Sequence, residues 1–147
     1  NTAHVDRLTM KELLDGVLAN TQAPAQAALT ALLETAALIY SDPSRPENLT
    51  CYLPNKKQED VLVHAATGWE IQPCPLVLSP MVAKSVDALF TNQPFEDAAK
   101  YGDLMLALRD NEQAYQEGKE MKTVLVRNKA LLEKALGSLP GEKQRAA

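Results

Sequence analysis

Two cysteines and two histidines are the side chains best suited to carry chemistry: Cys51, Cys74, His4 and His64. Thiolates and imidazoles bind zinc, and a thiol beside an imidazole can act as a nucleophile. These residues lack the close Cys-x-x-Cys or His-x3–5-His pairs of zinc sites. No local motif supplies the third group or the oxyanion pocket that a nucleophile needs. We therefore predict no metal site and no catalytic residue, and we interpret both cysteines as buried apolar side chains.

Acidic side chains are plentiful but occur where helices and loops are expected to begin or end. Pairs stand at residues 59–60 and 96–97, and Asp110 lies near Glu112. Carboxylates at helix starts interact favourably with the helix dipole and with free backbone N–H groups. Neither the G-x-x-x-x-G-K-[ST] nor the G-x-G-x-x-G phosphate-binding pattern occurs. We accordingly expect no enzymatic activity and no cofactor.

Charge is distributed unevenly along the chain. The net charge is −4, yet residues 119–147 contain seven basic and three acidic residues, so the preceding part is strongly acidic. A basic carboxyl-terminal helix on an acidic body can support head-to-tail association or contact with a polyanion. A solvated helix face is the simpler interpretation. The candidates for nucleic-acid contact are Lys119, Lys122, Arg127, Lys129 and Lys134.

Length and composition indicate one globular domain. Of the 147 residues, 46% are apolar, 23% charged and only 5% aromatic, which favours a core of packed helices. We expect a single domain over residues 1–137 and a disordered tail over residues 138–147. No apolar run is long enough for a membrane span, and no signal peptide is visible. An intracellular protein without membrane contact is therefore expected.

The amino-terminal part has the pattern of two amphipathic helices. Thr9 and Glu12 form a capping box, which predicts the start of the first helix. Pro24 suits the first turn of a second helix that runs to about Tyr40. Many alanines in the second helix would let a neighbouring helix approach closely. We expect an antiparallel helical pair.

Prolines then switch the chain from helix to short strands. Pro43 and Pro46 stop helix propagation and favour an extended path. Strand character is expected over residues 49–53, 60–65 and 69–72. Pro54 and Pro73 confine these strands to short lengths or exposed edges. A three-stranded antiparallel meander follows, in which Trp69 anchors the sheet to a helix or, alternatively, serves as a binding hot spot.

The remaining sequence is helical. Ser79 and Pro80 have the pattern of a helix start, and a long helical pattern runs from about residue 95 to residue 136. This helix either breaks near Gly118 or projects and pairs with another copy, although Asn111 and Gly118 interrupt its heptad seam. Its apolar residues exceed what a small core is expected to cover. The predicted interaction residues are Leu104, Leu108, Met121, Leu125 and Leu132.

A sequence signature links the middle of the chain to a known group of proteins. Its positions are Tyr40, Asp42-Pro43, Pro46-Glu47-Asn48, Leu53, Val61, Val63, Trp69 and Leu89. Residues 38–89 thereby resemble a region of uncharacterised proteins from large nucleocytoplasmic DNA viruses. The chain departs from that pattern at Ser41 and Asp42, and it has no Cys/His-rich segment upstream. The resemblance implies a viral origin and this architecture, but no established activity.

These patterns together predict a mostly helical α+β fold with an N-terminal helical pair, a small three-stranded antiparallel meander, and a long C-terminal helix or helical hairpin. The predicted function is a non-enzymatic protein-interaction or self-association module of a large DNA virus. Its partner would be another protein or a second copy, in the host cytoplasm, the nucleus or the virion. A nucleic-acid-binding or regulatory factor using the basic helix is the alternative. A hydrolase using His64 and a cysteine is the third.

Overall fold

The computed structural model describes residues 2–44, 48–65, 68–94 and 98–136. Within these ranges, the elements are α1 (Arg7–Asn20), α2 (Pro24–Tyr40), β1 (Cys51–Tyr52), β2 (Asp60–Ala65), β3 (Gly68–Pro73), α3 (Cys74–Asn92), α4 (Ala98–Asp110), α5 (Glu112–Glu117) and α6 (Lys122–Leu136). The predicted α+β fold, mostly helical with a small antiparallel meander, is confirmed. The predicted tail at residues 138–147 and the signature residues Pro46 and Glu47 lie outside the described residues.

The first helix begins one turn earlier than predicted. Asp6 is its N-cap, and the Asp6 carboxylate accepts a hydrogen bond from the backbone N–H of Thr9 at 2.9 Å. The capping box predicted at Thr9 is therefore wrong, because Thr9 already lies inside the first turn. This hydrogen bond also lowers the pKa of Asp6. Helix α2 begins at Pro24 and ends at Tyr40, as predicted.

Helix α2 lies at the centre of the fold and contacts α1, α3, α4 and α6. Its buried face is built largely from small side chains, which allow neighbouring helices to approach closely. These residues are Ala27, Ala28, Ala31, Leu32, Thr35, Ala36 and Ile39. The main hydrophobic core therefore forms around α2, with contributions from every other helix, although α5 adds only the partly buried Tyr115.

The sheet has the strand order β1-β2-β3, and both pairings are antiparallel. Strand β2 has the predicted bounds, Asp60–Ala65. Strand β3 starts at Gly68, whose φ of 120° lies in the region that favours glycine. One face of the sheet packs on the main core through Cys51, Leu53 and Val61.

Helix α3 begins at Cys74, so the start predicted at Ser79 and Pro80 is wrong. Pro75 occupies the first turn, and Pro80 lies inside the helix. The sequence pattern favoured Ser79 because serine is a good N-cap, whereas the observed N-cap is Pro73, which makes no side-chain capping hydrogen bond. Pro80 has no N–H to donate to the carbonyl of Leu76. Because Leu76 is 65% exposed, water can take that place.

The predicted long helix is divided into α4, α5 and α6, with breaks at Asn111 and at residues 118–121. The expected alternative of a break near Gly118 is therefore confirmed. A Cβ at Gly118 would lie 3.1 Å from the carbonyl oxygen of Ala114, so the turn there is tightly packed. These breaks let α4 and α6 fold back onto α2.

The predicted interaction residues lie inside the protein and not on its surface. Leu104, Leu108, Met121, Leu125 and Leu132 are all buried, none of them more than 4% exposed. The expectation that a small core could not cover these apolar residues is therefore wrong. Folding α4 and α6 back onto α2 and the sheet brings both apolar stripes into the protein's own core, so these side chains are not available to a partner in this fold.

Candidate interaction surface

The second face of the sheet lies opposite the main core. Successive side chains of a strand point to opposite faces, so Leu62 lies on the other side from Val61. The register places Ile71 and Tyr52 opposite Leu62, and Trp69 opposite His64. We call this set the outer sheet face: Tyr52, Leu62, His64, Trp69 and Ile71.

Aromatic rings form the centre of the outer sheet face. The Trp69 ring meets Tyr52 edge-on, with centroids 5.5 Å apart, and lies 4.9 Å from the His64 ring. Tyr52 forms a small second core with Leu49 and Leu132, and Trp69 is partly buried against it. Since Leu132 belongs to α6, Trp69 anchors the sheet to a helix, as predicted.

Helix α6 covers only part of this face. Leu131 and Leu132 pack beside Tyr52 and Trp69, whereas Ile71 on the outermost strand is 68% exposed. His64 is also exposed. An exposed isoleucine beside a partly buried tryptophan is an apolar surface that the described part of the chain leaves in contact with solvent.

Strand β3 forms one edge of the sheet, and its outward backbone groups are free among the described residues. The N–H of His64 donates to the carbonyl of Thr50 at 2.7 Å, so the backbone groups of His64 point towards β1. Trp69 lies opposite His64 in the antiparallel pairing of β2 and β3. The backbone N–H and C=O groups of Trp69 therefore point away from β2, towards the open edge of the sheet. Ile71, two residues further, points the same way. The described residues supply no hydrogen-bond partner to the outward N–H and C=O groups of Trp69 and Ile71.

The opposite edge of the sheet is closed. Leu53 donates its backbone N–H to the carbonyl of Leu125 at 3.1 Å, and the side-chain amide of Asn128 donates to the carbonyl of Cys51 at 3.0 Å. The Asn128 side-chain oxygen in turn accepts a hydrogen bond from the Ser41 hydroxyl. Helix α6 thus satisfies two of the outward backbone groups at the β1 edge.

The cysteines and histidines do not converge. Cys51 is paired with Val63 and faces the main core, so it lies on the opposite side of the sheet from His64. Burial raises the pKa of the Cys51 thiol to about 11 and also raises that of Cys74, which disfavours the nucleophilic thiolates. A ring nitrogen of His4 bonds the carbonyl of Leu38 at 2.7 Å. The described ranges contain no group of three His, Cys, Asp or Glu residues that could hold a metal.

The basic residues of the carboxyl-terminal region are divided between two sides of α6. Lys122 and Lys129 lie on one side, where Lys122 donates to the carbonyl of Gln58 at 3.2 Å. Arg127 and Lys134 lie on the other side, roughly 140° further round the helix. Lys119 is exposed in the preceding turn. The predicted nucleic-acid residues therefore do not form one continuous basic patch.

Two grooves elsewhere lack a convergent set of chemical groups. A shallow groove of about 620 Å³ lies between α1, α2 and α6, with Glu12, Glu34 and Arg127 among its lining residues. A smaller one of about 440 Å³ is lined by Cys74 and Lys122 among others. Charged side chains of both signs line each groove, and burial raises the pKa of the Cys74 thiol in the second.

Helix α3 is the one helix in the described residues that is long and apolar enough to cross a membrane. Half of that apolar stretch is buried inside the protein. That burial is typical of a core helix.

Trp69 was predicted as a possible contact residue, whereas its neighbour on the same face, Ile71, was not. Strand alternation could have identified Ile71, because residues 69 and 71 lie on the same face of a strand and both are large and apolar. Comparison of the chain with protein-family models, characterised proteins and solved structures finds no match.

Proposed function

We propose that this protein is a non-enzymatic interaction module that binds an extended strand of another protein chain along β3. The partner strand would continue the sheet, with its side chains beside the outer sheet face. Main-chain hydrogen bonds would supply affinity, and contacts with Trp69 and Ile71 would supply specificity.

The contrast between the two sheet edges carries this proposal. Helix α6 covers β1 with two hydrogen bonds, one from a fully buried asparagine. Strand β3 has no such cover among the described residues. Free N–H and C=O groups in a row are a template for strand pairing, and proteins usually protect such edges with lysines, prolines, bulges or covering loops.

The composition of β3 also favours pairing. Between Gly68 and Pro73 the strand contains no lysine, and proline occurs only at its end. Trp69 and Ile71 are strand-favouring residues on one face. Glu70 is the one charge in the strand, and it lies on the opposite face.

The resemblance of residues 38–89 to proteins of large DNA viruses supports a viral origin, with the module acting inside the host cell or in the virion. It does not identify the partner. The alternative of nucleic-acid binding is less well supported, because the basic residues lie on two sides of α6.

A strand peptide tests the proposal directly. A soluble peptide of alternating threonine and valine is titrated into isotopically labelled protein, and amide chemical shifts are followed by NMR. We expect the largest shifts at Trp69 and Ile71. Replacing Ile71→Pro removes an outward N–H and should abolish these shifts, whereas the matched control Ile71→Val should preserve them. If the peptide shifted only amides remote from β3, the proposed docking edge would be wrong.

A further inference from the structure

We infer that the strand bound by β3 is β3 of a second copy, so that two antiparallel sheets join across a two-fold axis into one. This inference rests on the proposed function and names its partner. A symmetric dimer uses the same surface on both copies, so that surface must complement itself.

Hydrogen-bond direction restricts the possible registers. Trp69 and Ile71 point their backbone groups outward, whereas Gly68, Glu70 and Gln72 are paired towards β2. Outward residues must face outward residues across the new pairing. The two-fold axis therefore passes beside a residue. Registers centred on Glu70 or Ile71 overlap about five residues of each strand, whereas registers centred on Trp69 or Gln72 overlap only about three.

Charge disfavours the register centred on Glu70. That register places the Glu70 carboxylates of the two copies directly opposite each other, in a pair with Cα atoms about 4.5 Å apart. Like charges directly opposite each other destabilise strand pairing. The register centred on Trp69 places Glu70 opposite the partner's Gly68, where it gains no polar contact.

The register centred on Ile71 is self-complementary. Ile71 of each copy then exchanges both backbone hydrogen bonds with the partner's Ile71, and their exposed side chains contact each other. Glu70 lies opposite the partner's Gln72, whose side-chain amide can donate to the carboxylate; symmetry makes this contact twice. Trp69 lies opposite the partner's Pro73, which extends the apolar contact; the Trp69 N–H can donate to the Pro73 carbonyl, whereas Pro73 has no N–H to return. The side chains of the strand are thus matched by a second copy of the same strand, and the two Ile71 residues form the central pair of backbone hydrogen bonds.

Analytical ultracentrifugation of the full chain across the micromolar range tests the dimer. We expect the weight-average mass to rise with concentration. Ile71→Lys places two ammonium groups at the axis and should raise the dimer dissociation constant at least tenfold. Leu106→Lys is the matched control, because Leu106 is an exposed leucine on α4, 59% accessible, and it should leave the dissociation constant unchanged.

Disulfide trapping tests the register. In a hydrogen-bonded antiparallel pair the Cα atoms lie about 5.5 Å apart, which suits a disulfide. Ile71→Cys should therefore form covalent dimers on mild oxidation much faster than Glu70→Cys or Leu106→Cys. Faster cross-linking of Glu70→Cys would overturn the register.

A monomer at every concentration would overturn the inference. If that monomer still bound the threonine–valine peptide at Trp69 and Ile71, the proposed function would stand with a different partner. If it bound neither the peptide nor itself, both proposals would fail.

Discussion

Replacing Asn128 with alanine should destabilise the protein far more than the loss of a small side chain would suggest. Asn128 is fully buried, donates to the carbonyl of Cys51 and accepts from the hydroxyl of Ser41. Alanine would leave the Cys51 carbonyl without its side-chain donor and the Ser41 hydroxyl without its nearest acceptor. Each buried polar group left unsatisfied costs about 1 to 3 kcal/mol. Because Ser41 retains a longer contact of 3.5 Å with the carbonyl of Val124, we expect a total loss of roughly 3 kcal/mol.

Urea denaturation followed by circular dichroism measures this loss. Asn20→Ala is the matched control, because the exposed Asn20 amide bonds only the carbonyl of Gly16, and we expect a change within about 0.5 kcal/mol. A double-mutant cycle with Ser41→Ala should show a coupling of about 0.5 to 3 kcal/mol, since the two side chains contact each other. If Asn128→Ala were no more destabilising than Asn20→Ala, the polar bridge between α6 and β1 would not hold the sheet in place.

Two further predictions concern titratable groups. The Tyr101 hydroxyl, followed by the Lys100 ammonium, lowers the pKa of Asp15 from 3.8 to about 2. The stabilising effect of ionised Asp15 should therefore be complete above about pH 5 and lost as the pH falls towards 2. Asp15 is partly exposed, so Asp15→Asn should cost less than about 1 kcal/mol at pH 7 and nothing near pH 1, measured by urea denaturation at each pH. Cys51 is buried with its pKa raised to about 11, so its reaction with a thiol reagent at pH 8 should be slow in the native protein and fast in urea. The Cys51→Ser variant retains only Cys74, so rapid labelling of this native variant would report on Cys74. The Cys74→Ser variant retains only Cys51, so rapid labelling of this native variant would contradict the burial of Cys51.

Local sequence rules located several elements correctly. Pro24 at the start of α2, the end of that helix before Pro43, and the alternating strand at Asp60–Ala65 were all predictable. Proline restricts its own backbone and that of its neighbour, and strand alternation reflects a sheet with two different faces. The start of α3 was missed because Ser79-Pro80 has the local pattern of a helix start, whereas the helix begins at Cys74 directly after β3 without a side-chain cap.

The sequence by itself determined that this chain forms amphipathic helices around a short proline-bounded meander, because those properties depend on neighbouring residues. Tertiary structure decided which apolar residues face outward. Leu104 and Leu125 lie in stripes that could have paired with another chain, but the turns at Asn111 and Gly118 fold them into the protein's own core. Tertiary structure likewise decided which sheet edge stays open. Strands β1 and β3 are both short, and only the position of α6, set by packing far along the chain, closes the first and leaves Trp69 and Ile71 at the free edge of the second.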